Sequence, residues 1–539
     1  VKTAASSGPE VFFGLVGAIG TDLLGVANML GDSLKRFNYN CMRLHLIDDL
    51  QGLQLTVNGK KPKWAYPPSE PYEARAKALM NLGNEFCKEL QYADAVARLA
   101  IMSVQYARER ISGDSQQPVP RQAYILSSLK RPDEVVRLRQ MYGRAFFLIS
   151  VYSDHQRRLE ALAGKIAKSR GKAQADRYMD KAQALVVRDE QDAERFGAFG
   201  QNIQDTFHRA DVFVNADNVQ ALRSQIDRFI SLVFGDPHHT PLQDEFGMYL
   251  AQAAGLRSGD PSRQVGASLV NSMLDVLGLG TNDAPKAGGD IYWPNDAFDA
   301  RDLVLGTDSN ADAKVDIVKE LMARLCDERW LATHHTKAVR KDLQLTTQRA
   351  LTMLKGTQLL DLTEFGRALH AEMTALVGAA RRGVPVQGAT LYVTLFPCHN
   401  CAKHLIAAGV KRVVYIEPYP KSRAVKLHGD AIAMDGHVPK GEHVLFEPFV
   451  GVAPRRYADL FGFEPKERKT LLRPGGWAAA SAEPKFTKAG GYYRNMHVMW
   501  EFMEAYALNK QMSDKKLKAD QNRKRNILIH PRSGKEKTA

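Results

Sequence analysis

Two short runs far apart in this chain must meet if either is to have a purpose. They are His370-Ala371-Glu372 and Pro397-Cys398-His399-Asn400-Cys401, with Cys398 following His370 by 28 positions. One imidazole and two thiolates make a nitrogen–sulfur ligand set of the kind zinc prefers. Three protein ligands with no fourth nearby leave a coordination position for water, which zinc makes more acidic. Glu372 lies two positions from His370, near such a metal without having to bind it, and is suited to carry a proton. Convergence of these ligands constrains the fold. Residues 362–378 are rich in helix formers, so His370 and Glu372 are expected to start a helix. Residues 389–394 read as a buried strand, and Pro397 stops it. Cys398 and Cys401 then fall one turn apart at the start of a helix over 400–408, where backbone amides favour thiolates. A further strand at 413–416 completes an α-β-α-β unit with the metal at one end of its sheet.

A Cys-x-x-Cys pair also serves in structural zinc sites and in redox motifs. A structural site of the common type needs a second Cys or His pair, and Cys41, Cys87 and Cys326 form none. His399 and His404 read equally well as ordinary polar helix residues. A redox pair gives no reason for His-Ala-Glu upstream. With two of five cysteines assigned to metal, the composition argues against a disulfide framework and for a reducing, cytoplasmic setting. The longest apolar stretch, residues 11–20, is broken by Thr21-Asp22 and is too short for a bilayer, so a soluble protein is expected. The net charge of +14 is concentrated in the tail. Residues 509–539 hold ten Lys/Arg against three acids, half of the total, and read as a solvated tail or a polyanion contact.

Residues 11–22 read as strand, glycine-rich turn and the start of a helix over 23–37. Gly14, Gly17, Gly20 and Thr21 are candidate phosphate contacts, since amides at such a turn can cradle an anion. A working P-loop carries Gly-Lys-Ser/Thr, however, whereas Gly20 is followed by Thr21 and Asp22. Further strands are expected within 122–135, over 145–152 and over 211–215, with a charged helical stretch at 157–196 in the place of a lid. The alternation argues for a parallel α/β sheet over residues 10–236. In fold, this segment resembles nucleoside-phosphate kinases of the P-loop class, including the run Leu129-Lys130-Arg131-Pro132-Asp133-Glu134, but it lacks their catalytic lysine.

The zinc runs match the signature of zinc nucleobase deaminases. Around them, residues 242–465 resemble deoxycytidylate deaminases: Arg263-Gln264-Val265-Gly266-Ala267 falls in an expected strand over 264–270, and Gly280-Thr281-Asn282-Asp283-Ala284-Pro285 in an expected loop. Together with Tyr292-Trp293-Pro294, Tyr419-Pro420-Lys421-Ser422-Arg423-Ala424 and residues 448–457, the chain is similar to bacterial dCTP/dCMP deaminases that defend against phage. The resemblance covers most of residues 10–465. It implies a degenerate P-loop kinase-like domain fused to a three-layer α/β/α cytidine-deaminase-like domain, followed by a C-terminal extension over 466–539. It further implies zinc on His370, Cys398 and Cys401, Glu372 as the proton carrier, Asn282 and Arg263 at the sugar or base, and a homo-oligomer. Lys421 and Arg423, just beyond the 413–416 strand, are candidate phosphate contacts.

Eighty-eight positions separate Asn282 from His370, and residues 311–358 read as inserted helices. These could cover the site, hold an oligomer together or carry a regulatory nucleotide. Three functions stay open at this point. The first is hydrolytic deamination of dCTP or dCMP to dUTP or dUMP, draining the nucleotide pool in defence. The second is a deaminase of cytosine or adenosine in polynucleotides. The third is a non-catalytic sensor of a nucleotide, protein or RNA with a structural zinc.

Overall fold

Val11–Val16 is apolar at nearly every position and buried at all of them, the mark of a strand covered on both faces. Successive side chains point to opposite sides of it. Phe12 joins a core with Tyr124 and Tyr142, while Phe13 joins another with Phe147 and Phe229. The computed structural model describes residues 8–46, 71–362, 364–419, 421–434 and 441–485. They form two units, one of residues to Glu245 together with those from Val450 onward, the other Phe246–Phe449.

The first unit contains β1 (Val11–Val16), β2 (Asn40–His45), β3 (Gln122–Ser127), β4 (Phe146–Tyr152) and β5 (Val212–Asn215). They lie in the order β5-β4-β1-β3-β2, with every neighbouring pair parallel. The helix Leu23–Lys35 follows β1 directly, and the helices His155–Ser169 and Met179–Phe196 pack on each other through Leu162, Ile166, Leu185 and Val186. The parallel sheet was expected, as was a helical stretch over 157–196; the packing of its two helices on each other was not.

The second unit contains β6 (Gly266–Val270), β7 (Val276–Thr281), β8 (Thr390–Leu395), β9 (Arg412–Glu417), β10 (Ile432–Met434) and β11 (Val444–Pro448), in the order β10-β11-β9-β8-β6-β7. The run β10-β11-β9-β8 is parallel, and β6 is antiparallel to both β8 and β7. β7 corrects the sequence reading, which placed Gly280 and Thr281 in a loop. Its glycines are there because a helix lies directly on the strand. A Cβ at Gly278 would stand 2.5 Å from the carbonyl oxygen of Ala375, and one at Gly280 would stand 2.0 Å from that of Ala371. That helix, Ala371–Arg381, presents Ala371, Ala375 and Ala379 at four-residue spacing, all fully buried. The insert forms three helices, Ser309–Asp327, Thr333–Lys341 and Leu343–Met353.

The chain then returns to the first unit. Gly451–Val452 (β12) pairs antiparallel with β5, and Arg456 beyond it donates to the fully buried Asp211 at 3.1 Å and to the carbonyl of Phe146 at 2.8 Å. A buried carboxylate needs such partners. The second unit therefore ends at Phe449, whereas the sequence reading carried the deaminase-like domain to 465. Among the described residues no helix is long and apolar enough to cross a membrane. The basic tail at 509–539 lies outside them.

Candidate active site

His370 is the N-cap of the helix Ala371–Arg381, one position before the helix rather than within it. Cys398 is the N-cap of the helix His399–Ala407, which follows β8. Its Sγ accepts the Cys401 amide at 3.5 Å, so the thiol occupies the place a capping oxygen would take. The helix starts meet: His370 Nδ1 lies 3.3 Å from Cys398 Sγ and 3.4 Å from Cys401 Sγ. The three ligand atoms are all within 4.8 Å of one another. A hydrogen bond from Cys401, then the imidazole of His370, holds the Cys398 thiol well below its ordinary pKa. His370 is raised in turn to about 9, first by its hydrogen bond with Cys398. One borderline nitrogen and two convergent sulfurs fit Zn²⁺ and leave its fourth position to another ligand.

Glu372 is 4% exposed, and burial pushes its carboxyl up to about 7. Beside it opens a cavity of about 370 Å³, within the range of small-molecule sites. Its wall includes His370, Glu372, Cys398, Asn282, Arg263 and Tyr419.

Residues 241–417 match the family model described as the cytidine and deoxycytidylate deaminase zinc-binding region. The chain carries a deaminase zinc-binding domain. It is similar to the deoxycytidylate deaminase of Enterobacteria phage T4, 49% identical over 55 residues, which are 10% of this chain and 28% of that one. It is similar to the deoxycytidylate deaminase of Homo sapiens, 27% identical over 172 residues, 32% of this chain and 63% of that one. Among solved structures, the dCMP deaminase of cyanophage S-TIM5 in complex with dCMP and dUMP is 19% identical, with a TM-score of 0.22, covering 39% of this chain and all of that one. The chain spans under a third of the length of the phage relatives it matches.

Within the deaminase domain, Asn282 braces the cavity wall. Its Oδ1 accepts the Val265 amide at 2.7 Å and its Nδ2 donates to the Arg263 carbonyl at 2.8 Å, which leaves one amide hydrogen free of these bonds. Arg263 is paired with Glu417 at 2.5 Å. Lys421 pairs with Asp361 at 2.6 Å, and neither Lys421 nor Arg423 belongs to the cavity wall. Among the wall residues that sequence reasoning missed are Ser309, Asn310 and Lys314 of the insert. The available signal was Asp308, a capping residue that marks the start of their helix.

The glycine-rich run of the first unit is arranged differently. Gly14 lies inside β1, where a Cβ would stand 2.6 Å from Leu129 and 2.8 Å from Phe146, so packing requires it. Gly17 follows the strand. Gly20, at φ +96°, lies against the backbone of Arg158. The amide of Ile19 donates to Asp189 Oδ2 at 2.8 Å, and Lys130 Nζ reaches Asp189 Oδ1 and the Gly17 carbonyl, each at 3.2 Å. Asp189, 2% exposed, thus occupies the turn with the chain's own carboxylate. Thr21 Oγ1 is buried there, without a partner among the described residues.

Proposed function

We propose that the chain hydrolytically deaminates the cytosine ring of deoxycytidine nucleotides, giving the deoxyuridine nucleotide and ammonia. The observation that carries this reading is the buried carboxylate of Glu372 at the wall of a nucleotide-sized cavity, beside three convergent zinc ligands. Zinc on His370, Cys398 and Cys401 would supply Lewis acidity that makes water a nucleophile near neutral pH. As water attacks C4, Glu372 takes one of its protons and passes it to ring N3, then takes the second from the new C4 hydroxyl and delivers it to the departing amine, leaving a carbonyl at C4. A C–O bond forms at C4, the C–N bond breaks, and ammonia leaves. Burial of Glu372 keeps this proton from bulk water, and the wall at Asn282 and Tyr419 holds the nucleotide.

The names of the phage and human relatives support a deoxycytidine nucleotide as substrate. The resemblance of the first unit to P-loop nucleotide kinases supports the finer reading, a bacterial anti-phage enzyme that drains dCTP or dCMP. Exposed Trp330, Leu345 and Met353 on the insert support association into a homo-oligomer. A purely structural zinc gives Glu372 no use, which disfavours a non-catalytic sensor. The test is ammonia release from dCTP, dCMP, CTP, deoxycytidine and single-stranded DNA, offered in parallel to zinc-loaded protein. Turnover of the deoxycytidine phosphates is expected. Turnover of the oligonucleotide alone would overturn the reading in favour of a polynucleotide deaminase.

A further inference from the structure

The insert reaches the cavity through one face of its first helix. Asn310 and Lys314 are four residues apart on Ser309–Asp327, so their side chains leave the same face, and both line the cavity with His370 and Glu372. Asn310 Nδ2 donates to the Leu362 carbonyl at 3.0 Å, which fixes the amide plane and leaves Oδ1 buried with no partner. Such an acceptor needs a donor, which none of the described residues supplies. Lys314 is the complementary case. The other cations of the wall are engaged, Arg263 with Glu417 at 2.5 Å and Arg367 with Asp302 at 2.7 Å and the Ala300 carbonyl at 3.1 Å. Among the described residues Lys314 has no ion pair. The acids nearby are occupied as well: Asp302 by Arg367, Asp260 by the amides of Ser262 and Arg263, and Asp308 by that of Ala311.

We propose that Asn310 and Lys314 form the sugar–phosphate wall of the deaminase cavity. Asn310 Oδ1 accepts a hydroxyl hydrogen of the deoxyribose, and the Lys314 ammonium pairs with oxygens of the 5′-phosphate. One helical turn separates the two Cα atoms by about 6 Å along the axis, comparable to the span from a deoxyribose hydroxyl to its 5′-phosphate. The insert is then part of the substrate site, and it selects nucleotides over free nucleosides. The ligand's identity rests on the deamination reading above. The placement of Asn310 and Lys314 does not.

The test compares full-length, zinc-loaded wild type with Lys314→Ala, Lys314→Arg and Asn310→Ala. For Lys314→Ala, KM for dCMP is expected to rise tenfold or more, with the loss in KM rather than kcat, and preference for dCMP over deoxycytidine to fall by a similar factor. Lys314→Arg should recover most of it. Asn310→Ala should weaken dCMP and deoxycytidine together. An unchanged KM for dCMP in Lys314→Ala, or an equal loss on deoxycytidine, would overturn the assignment. Calorimetric binding of dCMP separates the two claims. If wild type binds dCMP without releasing ammonia, the deamination reading fails, and the wall stands only if Lys314→Ala weakens binding. If wild type does not bind dCMP, the wall falls too.

Discussion

The helix that follows β1 is capped by Asp22, whose carboxylate accepts the Gly25 amide at 3.0 Å, and the turn before it donates the Ile19 amide to Asp189. The helix that follows β8 is capped by Cys398, and the turn before it opens onto a cavity. Both are strand–turn–helix joints at the end of a central strand, the place where α/β folds concentrate binding. They differ in who supplies the anion. In the first unit the chain fills the seat with its own side chains and ties it further with Lys130. In the second unit the capping group is itself a candidate metal ligand, facing a second candidate on another helix start. One joint spends its polarity on stability, and the other holds it available for chemistry.

Changes at the metal joint should have the largest effect. Cys401→Ala is expected to lower zinc content from about one per chain to near zero and to remove deaminase activity, since two ligands rarely hold the ion alone. Metal analysis of the purified protein checks this, and retained zinc would break the comparison. Next is the strand that seats the helix of Glu372. Gly280→Ala puts a Cβ 2.0 Å from the Ala371 carbonyl and should cost about 3 kcal/mol, read by chemical unfolding, with activity lost as His370 and Glu372 shift.

At the filled joint, Asp189→Ala removes the internal anion and strands Lys130. We expect a loss of about 1–3 kcal/mol, unchanged zinc content, and phosphate binding stronger than wild type by calorimetry. Equal phosphate binding in the two proteins would show that the carboxylate does not hold the seat. The smallest change is Lys421→Ala, which removes a largely exposed pair with Asp361 outside the cavity wall. It should alter stability by less than about 1 kcal/mol and leave KM for dCMP within twofold. A tenfold rise in KM would return Lys421 to the phosphate site.

How legible each region was in the sequence follows from how local its determinants are. The convergence of His370, Cys398 and Cys401 was readable because residue type and spacing within two short runs point to one metal-binding group. The strands β1, β3 and β4 were readable as apolar runs. β7 was not, because Gly278 and Gly280 look like loop residues until a helix is laid against them. Asp189 contacts a turn 170 positions away, a distance over which no local pattern points. The return of residues 450–485 to the first unit rests on a two-residue strand and on Arg456 meeting Asp211, neither of which leaves a periodic signal. Asn310 and Lys314 share a helix face that any sequence reader could draw, but only packing shows that the face lines the cavity.

In the proposed reaction Glu372 moves the proton of a zinc-dependent deamination. Ammonia release from dCMP, measured for wild type and Glu372→Gln with zinc content determined on the same samples, tests it most directly. Wild type should turn dCMP over, and the variant should fall by about a hundredfold or more, with zinc retained in both. Comparable turnover by the zinc-loaded variant, or no turnover of dCMP by zinc-loaded wild type, would contradict it.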